Sequence, residues 1–396
     1  MGTTPSSTLL SASEGSPPAF SRIAPYIGVF FVLGLAPAAL GPTLPALAEQ
    51  TGVTIKSIGF VFTARMVGYM LMTFIVGRLI DGRAGHPLIG GAIAIMAVIM
   101  LLVPVIHSLA LLLPLLALHG SASAMADIGT NTLLLKTFRE RVGPYLNGLH
   151  FCYGVGAFLS PILVAQAFGL TGHPLWAYWG IGLLAIPVAL WVSRIPSPEL
   201  TIRIPGHIEA RPDRRTMVML ILFFFLYAGV EAGFSGWIYT YAIARGLATA
   251  ETAAYLNSTF WGGLMIGRLL SVAISVRYLP RQILKVHLTW AFLSILLVAA
   301  STYVPVLVWI GSLSLGLAVS TIFPTALAFA ERNIPLSGNV TSRFYLGSSV
   351  GSMTLPLLAG FLIETTGPEA LLIVVGACAL SCFADLLLIM RLWKIS

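Results

Sequence analysis

Twelve stretches of predominantly apolar residues, each close to the length needed to cross a bilayer, constrain this chain more than any other feature. Crossing a hydrocarbon layer of about 30 Å takes about 20 residues of helix. No water is present there to bond a free peptide group, so each stretch must satisfy its own backbone as a helix. The stretches run over residues 23–47, 55–80, 88–106, 109–138, 145–168 and 175–192, then 217–244, 252–276, 283–302, 306–330, 340–363 and 370–390. They are numbered spans 1 to 12. Only 9% of the 396 residues are charged, too few to keep a soluble domain of this size in solution. The expected class is an all-α membrane protein whose surplus apolar surface faces lipid.

Most connections are short. The exception, residues 193–216, is polar, carries Arg194, Arg203, Arg211, Arg214 and Arg215, and divides the chain near its midpoint. The expected organisation is a tail over 1–21, a six-helix bundle over 22–193, a linker over 194–216 and a second six-helix bundle over 217–396. Residues 1–21 are rich in Ser, Pro, Gly and Thr and lack a basic segment leading into an apolar one. They read as a disordered tail rather than a cleaved signal peptide. Of the 22 basic residues, 19 fall on the side of the termini, Lys56 and Arg245 fall on the other, and Arg65 lies within span 2. This bias predicts cytoplasmic termini and a cytoplasmic linker in a plasma (inner) membrane, and it requires an even number of spans. The net charge of +8 is thus a topology signal and not a sign of nucleic-acid binding. Cys152, Cys378 and Cys382 all lie in apolar stretches, where packing is a better reading than disulfides or metal ligation.

The two bundles repeat each other. Gly77-Arg78-Leu79 in span 2 recurs as Gly267-Arg268-Leu269 in span 8, 190 residues on. Val155-Gly156 followed by Pro161 in span 5 recurs as Val350-Gly351 followed by Pro356 in span 11, 195 residues on. Six helices per half give both halves the same orientation, a parallel repeat in which a substrate site lies between the halves and rocking alternates access to it.

The run Gly77-Arg78-Leu79-Ile80-Asp81-Gly82-Arg83-Ala84-Gly85 resembles the signature between helices 2 and 3 of the major facilitator superfamily, with one extra residue between Asp81 and Gly85. The resemblance implies a conformational latch at Asp81 and Arg83, with Asp81 pairing to a cytoplasmic arginine of the other half. Further stretches resemble one branch, the sodium-dependent glucose transporters related to the fucose/galactose/glucose:proton symporters. They are Asp127-Ile128-Gly129-Thr130-Asn131 in span 4, Leu149 to Pro161 in span 5, Glu231 to Tyr241 in span 7 and Phe323-Pro324-Thr325-Ala326-Leu327 in span 10. A sugar substrate is what this branch implies; composition does not show it.

An ionisable group deep in a span costs about 2.5–3.5 kcal/mol on insertion scales, so it is a functional candidate. Arg65, Asp127, Glu231 and Asp385 qualify, of which Asp385 lies nearer the cytoplasmic end and receives no site. His119, Ser123, Asp127 and Asn131 follow at i, i+4 spacing, a polar stripe that should face a cavity or a partner helix. Asp127, with Thr130 and Asn131 as supporting oxygens, is the candidate for cation coupling, with Arg65 or hydrogen bonds as the alternative neutraliser of a structural carboxylate. Glu231 sits near the middle of span 7 among Gly229, Gly233 and Gly236, where glycine permits bending or close approach of a ligand, or simply close helix packing. With Asn257 and Trp261 at i, i+4 in span 8, Trp237 in span 7 and Tyr153 in span 5, it supplies carboxylate, amide and aromatic faces suited to a hexose. His150 in span 5 is read as secondary.

The reading is a secondary transporter for cation-coupled uptake of a small polar solute, a hexose first, with sodium or a proton as the coupling ion and no cofactor beyond a possible bound sodium at Asp127. A proton-coupled exporter of drugs or amphiphiles is the alternative. No His-rich cluster, nucleophile elbow or phosphate loop marks an enzyme, and no pore loop marks a channel. Single cysteines at Pro205 and Thr249, in a background lacking the three native ones, should react with an impermeant maleimide from opposite sides of the membrane. Labelling from the same side contradicts the topology.

Overall fold

The computed structural model describes residues 19–81, 85–138, 142–197, 213–334 and 338–394. Among these residues the secondary structure is helical, with no strand. Span 1 comprises α1 (Ala19–Ala38) and α2 (Leu40–Thr51), and span 2 comprises the single turn α3 (Ile55–Ile58) and α4 (Phe60–Asp81). Spans 3 to 6 are α5 (Gly85–Leu102), α6 (Leu109–Phe138), α7 (Val142–Thr171) and α8 (Ala177–Ser193). Spans 7 to 9 are α9 (Arg214–Ala244), α10 (Ala250–Arg277) and α11 (Pro280–Ala300). Span 10 is divided into α12 (Leu307–Val319) and α13 (Ile322–Glu331), and α14 (Gly338–Thr366) and α15 (Ala370–Leu392) complete the chain. Eleven segments are long and apolar enough to cross a membrane, and the bent pair α1–α2 makes a twelfth. Residues 19–21, expected in the tail, begin α1. The rest of that tail, most of the linker, Arg83 and the side chain of Asp81 lie outside the described residues, and the expected latch lies there with them.

Local chemistry sets the ends and breaks of these helices. The Asp213 carboxylate caps α9 by accepting from the Thr216 N–H at 2.9 Å, and the Thr216 contacts hold its carboxyl below the usual range. Span 1 bends by 49° between α1 and α2. Pro42 has no N–H to give the Ala38 carbonyl four residues back, and Pro37 and Pro45 flank the bend. Thr43 bonds the backbone beside it: its hydroxyl donates to the Ala39 carbonyl at 2.8 Å and contacts the Tyr178 hydroxyl at 2.7 Å. Span 10 breaks at Ser320–Thr321, where Pro324 withholds its N–H from the Ser320 carbonyl. There His287 Nδ1 lies 2.8 Å from both the Ala318 carbonyl and the Thr321 hydroxyl. By contrast α9 is continuous through Gly229, Gly233 and Gly236. Its glycines are packing points, Gly229 against Leu355 and Gly236 against Phe62, and not a hinge.

The parallel repeat is written in close backbone contacts. A Cβ on Gly156 of span 5 would overlap the Phe31 carbonyl of span 1, and one on Gly351 of span 11 would overlap the Phe225 carbonyl of span 7. Likewise Gly68 and Gly120 seat spans 2 and 4 against each other at the Ala117 and Arg65 carbonyls. Gly263 and Gly316 do the same for spans 8 and 10 at the Leu313 and Phe260 carbonyls. Gly68 to Gly263 is 195 residues and Gly120 to Gly316 is 196, matching the 195 between Gly156 and Gly351. The other repeated string behaves differently, since Gly77 has open space around it whereas Gly267 abuts Ser320.

The two halves touch toward one membrane face, the one opposite the termini. The Lys56 N–H donates to Glu364 at 2.7 Å, and the Lys56 ammonium lies 4.3 Å from the centre of the Phe361 ring. Thr63 donates to the Met353 carbonyl at 3.1 Å, Ser258 to the Phe158 carbonyl at 2.9 Å, and the Gln166 amide to the Tyr255 hydroxyl at 2.6 Å. Toward the termini, Asn147 and His150 of span 5 and Tyr345 of span 11 are exposed.

Gly316→Val should lower the melting temperature of the detergent-solubilised protein by several degrees, because the Phe260 backbone cannot yield as a side chain can. Overpacking typically costs about 1–3 kcal/mol, and this site should reach the upper part of that range. Gly91→Val, where nothing lies within 4 Å, should leave the melting temperature unchanged. Equal effects in the two variants contradict the packing account.

Candidate functional site

Between the halves lies a cavity of about 200 Å³ whose wall comes from both bundles. The bend of span 1 contributes Pro37, Ala38, Leu40 and Gly41, so the irregular backbone faces the cavity, where such backbone is tolerated. Span 2 adds Phe62, Arg65 and Met66, and span 5 adds Tyr153. From the second half come Glu231, Ala232, Ser235 and Gly236 of span 7, Trp261 of span 8 and Ser352 of span 11. The floor toward the closed face is tight, with Gly41 against the Ser235 and Gly236 carbonyls and the Asn257 amide.

Three of the five expected substrate residues, Glu231, Trp261 and Tyr153, therefore meet around one space. Asn257 and Trp237 do not line it. Asn257 shares the helical face of Trp261 but sits one turn nearer the closed side, where its amide donates to the Ser235 carbonyl at 2.7 Å and ties span 8 to span 7. Trp237 follows Glu231 by six residues, about 240° around the helix, and so points elsewhere. It is fully buried, donates its indole N–H to the Pro356 carbonyl at 2.8 Å and packs on Phe62 and Gly360. Both residues build the wall behind the cavity.

Glu231 accepts a short hydrogen bond from the Tyr227 hydroxyl one turn earlier. The same hydroxyl lies 3.3 Å from the Val319 carbonyl at the break of span 10, and its single proton goes to the nearer carboxylate. A residue facing the cavity is thereby linked to a helix discontinuity.

Asp127 is half-buried and fully engaged: the Tyr69 hydroxyl donates to Oδ2 at 2.7 Å and the Asn131 amide to Oδ1 at 2.9 Å. No ion pair forms between Asp127 and Arg65; hydrogen bonds support the carboxylate, and Arg65 turns to the cavity. Arg65 and Tyr69 are one turn apart on α4, so Asp127 stands two side chains from the cavity. Thr130 is buried, and neither its hydroxyl oxygen nor Asn131 Oδ1 has a partner among the described residues. The stripe expected from His119 to Asn131 divides. Ser123 packs on His119 and lies 3.7 Å from the Met96 sulfur of span 3, while Asp127 and Asn131 meet Tyr69 of span 2. Each i, i+4 step drifts by about 40° around the helix, so three steps turn the stripe from one neighbour to the next.

Sequence reasoning missed the contribution of span 1 and the placement of Arg65. The proline run 37, 42 and 45 was the available signal for the first. Nothing in the sequence distinguished a cavity-facing Arg65 from one paired to Asp127.

The sequence model of the Major Facilitator Superfamily matches residues 26–342. The chain is 26% identical to the mouse (Mus musculus) sodium-dependent glucose transporter 1A, over 84% of this chain and 87% of that protein. It is 27% identical to the human (Homo sapiens) sodium-dependent glucose transporter 1, over 84% of this chain and 72% of that protein. Among solved structures, a point mutant of the nucleoside transporter NupG superposes with a TM-score of 0.76 at 12% identity, covering 93% of this chain and 99% of that one. A bacterial homolog of the human lysosomal transporter Spinster, inward-facing and occupied, superposes with a TM-score of 0.74 at 13% identity, covering 96% of this chain and 97% of that one. The superpositions establish a common fold over nearly the whole chain, and the family match covers most of the described helices. The chain belongs to the major facilitator superfamily.

Proposed function

We propose that this transporter carries a hexose into the cell by alternating access, driven by sodium bound at Asp127. The carrying observation is the cavity shared by the halves, which sets Glu231, Arg65, Tyr153 and Trp261 around one small space. A carboxylate and a guanidinium serve hydroxyl groups, and aromatic faces serve the C–H surface of a pyranose. The names of the mouse and human relatives support the same substrate and ion.

The ion assignment rests on oxygen chemistry. Asp127 offers two carboxylate oxygens, and the unpartnered oxygens of Thr130 and Asn131 lie within about one helical turn of it. Hard cations take oxygen ligands such as carboxylates and amide carbonyls. Coupling requires that the ion bind one conformation better than the other. Sodium at Asp127 would compete for the carboxylate with Tyr69, release that hydroxyl, and so alter the α4 face that carries Arg65 to the cavity. With the termini in the cytoplasm, as the basic residues favour, the halves meet on the outer side and the cavity belongs to an inward-facing state.

Reconstituted protein should accumulate labelled glucose under an inward sodium gradient. Asp127→Asn should keep glucose exchange at near wild-type rates and lose uphill accumulation by at least tenfold. Accumulation driven by a pH gradient alone transfers the coupling to protons. An Asn variant that still concentrates glucose makes Asp127 structural.

A further inference from the structure

Two hydrogen-bond donors in the cavity wall are left over by the protein. Arg65 Nε in span 2 and Trp261 Nε1 in span 8 are both buried, and among the described residues neither has an acceptor. Their side chains line the same cavity, one from each half. Arg65 makes no ion pair with Asp127 or Glu231, and both of those carboxylates are already served by tyrosines. Buried donors in folded proteins are almost always paired, so exceptions on side chains that line a cavity call for an explanation. The simplest explanation is that the ligand brings the acceptors.

We propose that Arg65 and Trp261 are the specificity-determining donors of the transporter, each donating to oxygen atoms of the bound sugar from its own half. The inference rests on the hexose reading and deepens it by dividing the recognition. Glu231, an acceptor only, takes the protons of substrate hydroxyls, while Arg65 and Trp261 serve substrate oxygens that no carboxylate can serve. The guanidinium presents several N–H groups in one plane, so it can grip a ring oxygen and the adjacent hydroxyl together, which a lysine ammonium cannot do with the same geometry. The indole has one fixed N–H and a broad apolar face. It therefore fixes one oxygen while covering carbon.

Placing the two donors on opposite halves gives the arrangement a second consequence. Directional bonds from both halves to one rigid ring are satisfied together only at a narrow range of separations between the halves. Sugar binding then favours the conformations that bring Arg65 and Trp261 to the ring, and a ligand shifts an equilibrium only through such a difference in affinity. A sugar missing the oxygen that Arg65 grips loses affinity and the closing effect together.

The test uses the purified full-length protein, glucose and the set of monodeoxyglucoses, with affinities from isothermal titration and folding checked by Tm. Trp261→Phe keeps an aromatic ring and removes the N–H together with the second ring of the indole; it should bind glucose at least about threefold more weakly, the least that loss of one neutral hydrogen bond implies. Arg65→Gln and Arg65→Lys should each lose about tenfold or more. For one monodeoxyglucose, wild-type affinity should fall by a similar factor, and Arg65→Gln should show no further loss, the non-additivity expected of direct partners. Glucose affinity within twofold of wild type in either Arg65→Gln or Trp261→Phe, at unchanged Tm, overturns the inference and leaves the hexose reading intact. Fully additive losses for every deoxy sugar overturn it as well. If wild-type protein binds no hexose, the hexose reading fails and this inference fails with it.

Discussion

Every peptide group in a spanning segment must be bonded without help from water, and that rule decides where this molecule can be irregular. Beyond the single turn that opens span 2, it breaks its helices in spans 1 and 10, and at both places side chains bond the backbone nearby. Thr43 and Tyr178 stand beside the bend of span 1, and His287 and Thr321 beside the break of span 10. The bend of span 1 opens onto the cavity through Pro37, Ala38 and Gly41. The break of span 10 is reached from the cavity through Tyr227, which holds Glu231 and lies beside the Val319 carbonyl. The bend of span 1 and the candidate substrate residues thus share one region, while the break of span 10 is supported by His287 and Thr321 outside the cavity wall.

Elsewhere the helices are held together by close backbone approach. Lipid tails are as apolar as leucine, so helices in a membrane gain little from hiding apolar surface from one another and depend on tight packing. Gly156, Gly68 and Gly120 provide it in the first half, and Gly351, Gly263 and Gly316 provide it in the second. Between the halves, span 5 packs on span 8 with Gly154 against Met265 and Gly262 against Phe158, and the polar contacts Lys56–Glu364 and Gln166–Tyr255 lie toward the face opposite the termini. Close backbone approach within each half suits motion of each half as a body.

Twelve spans and the membrane class were legible because length and apolarity state them directly, and the two halves were legible from the polar linker and the repeated strings. The bend of span 1 was visible only as prolines inside an otherwise continuous apolar run, and prolines kink some helices while merely ending others. Helical phase accounts for most of the differences between the expected and the observed placement of these side chains. Trp237 lies too far around α9 from Glu231, and Asn257 lies on the right face of α10 but one turn too far along it. The polar series from His119 to Asn131 has the spacing of one face and serves two neighbours, since the drift at each step accumulates. Arg65 is the hardest to place, because a sequence gives the depth of a charge but not which of its candidate partners it turns toward. The glycine pairs are hidden for the related reason that each is defined by a carbonyl on another helix.

The central claim is that the halves rock about the shared cavity, opening one face as the other closes. Spin labels on Arg194 and Arg332 report the separation of the halves near the termini, and labels on Leu170 and Tyr303 report it at the opposite face; all four sites are exposed. Electron–electron distance measurements in lipid, without ligand and then with sodium and glucose, should show the first distance shorten while the second lengthens. If the two distances shift together, or neither responds while binding is demonstrated, the halves do not rock about this cavity and the account is wrong.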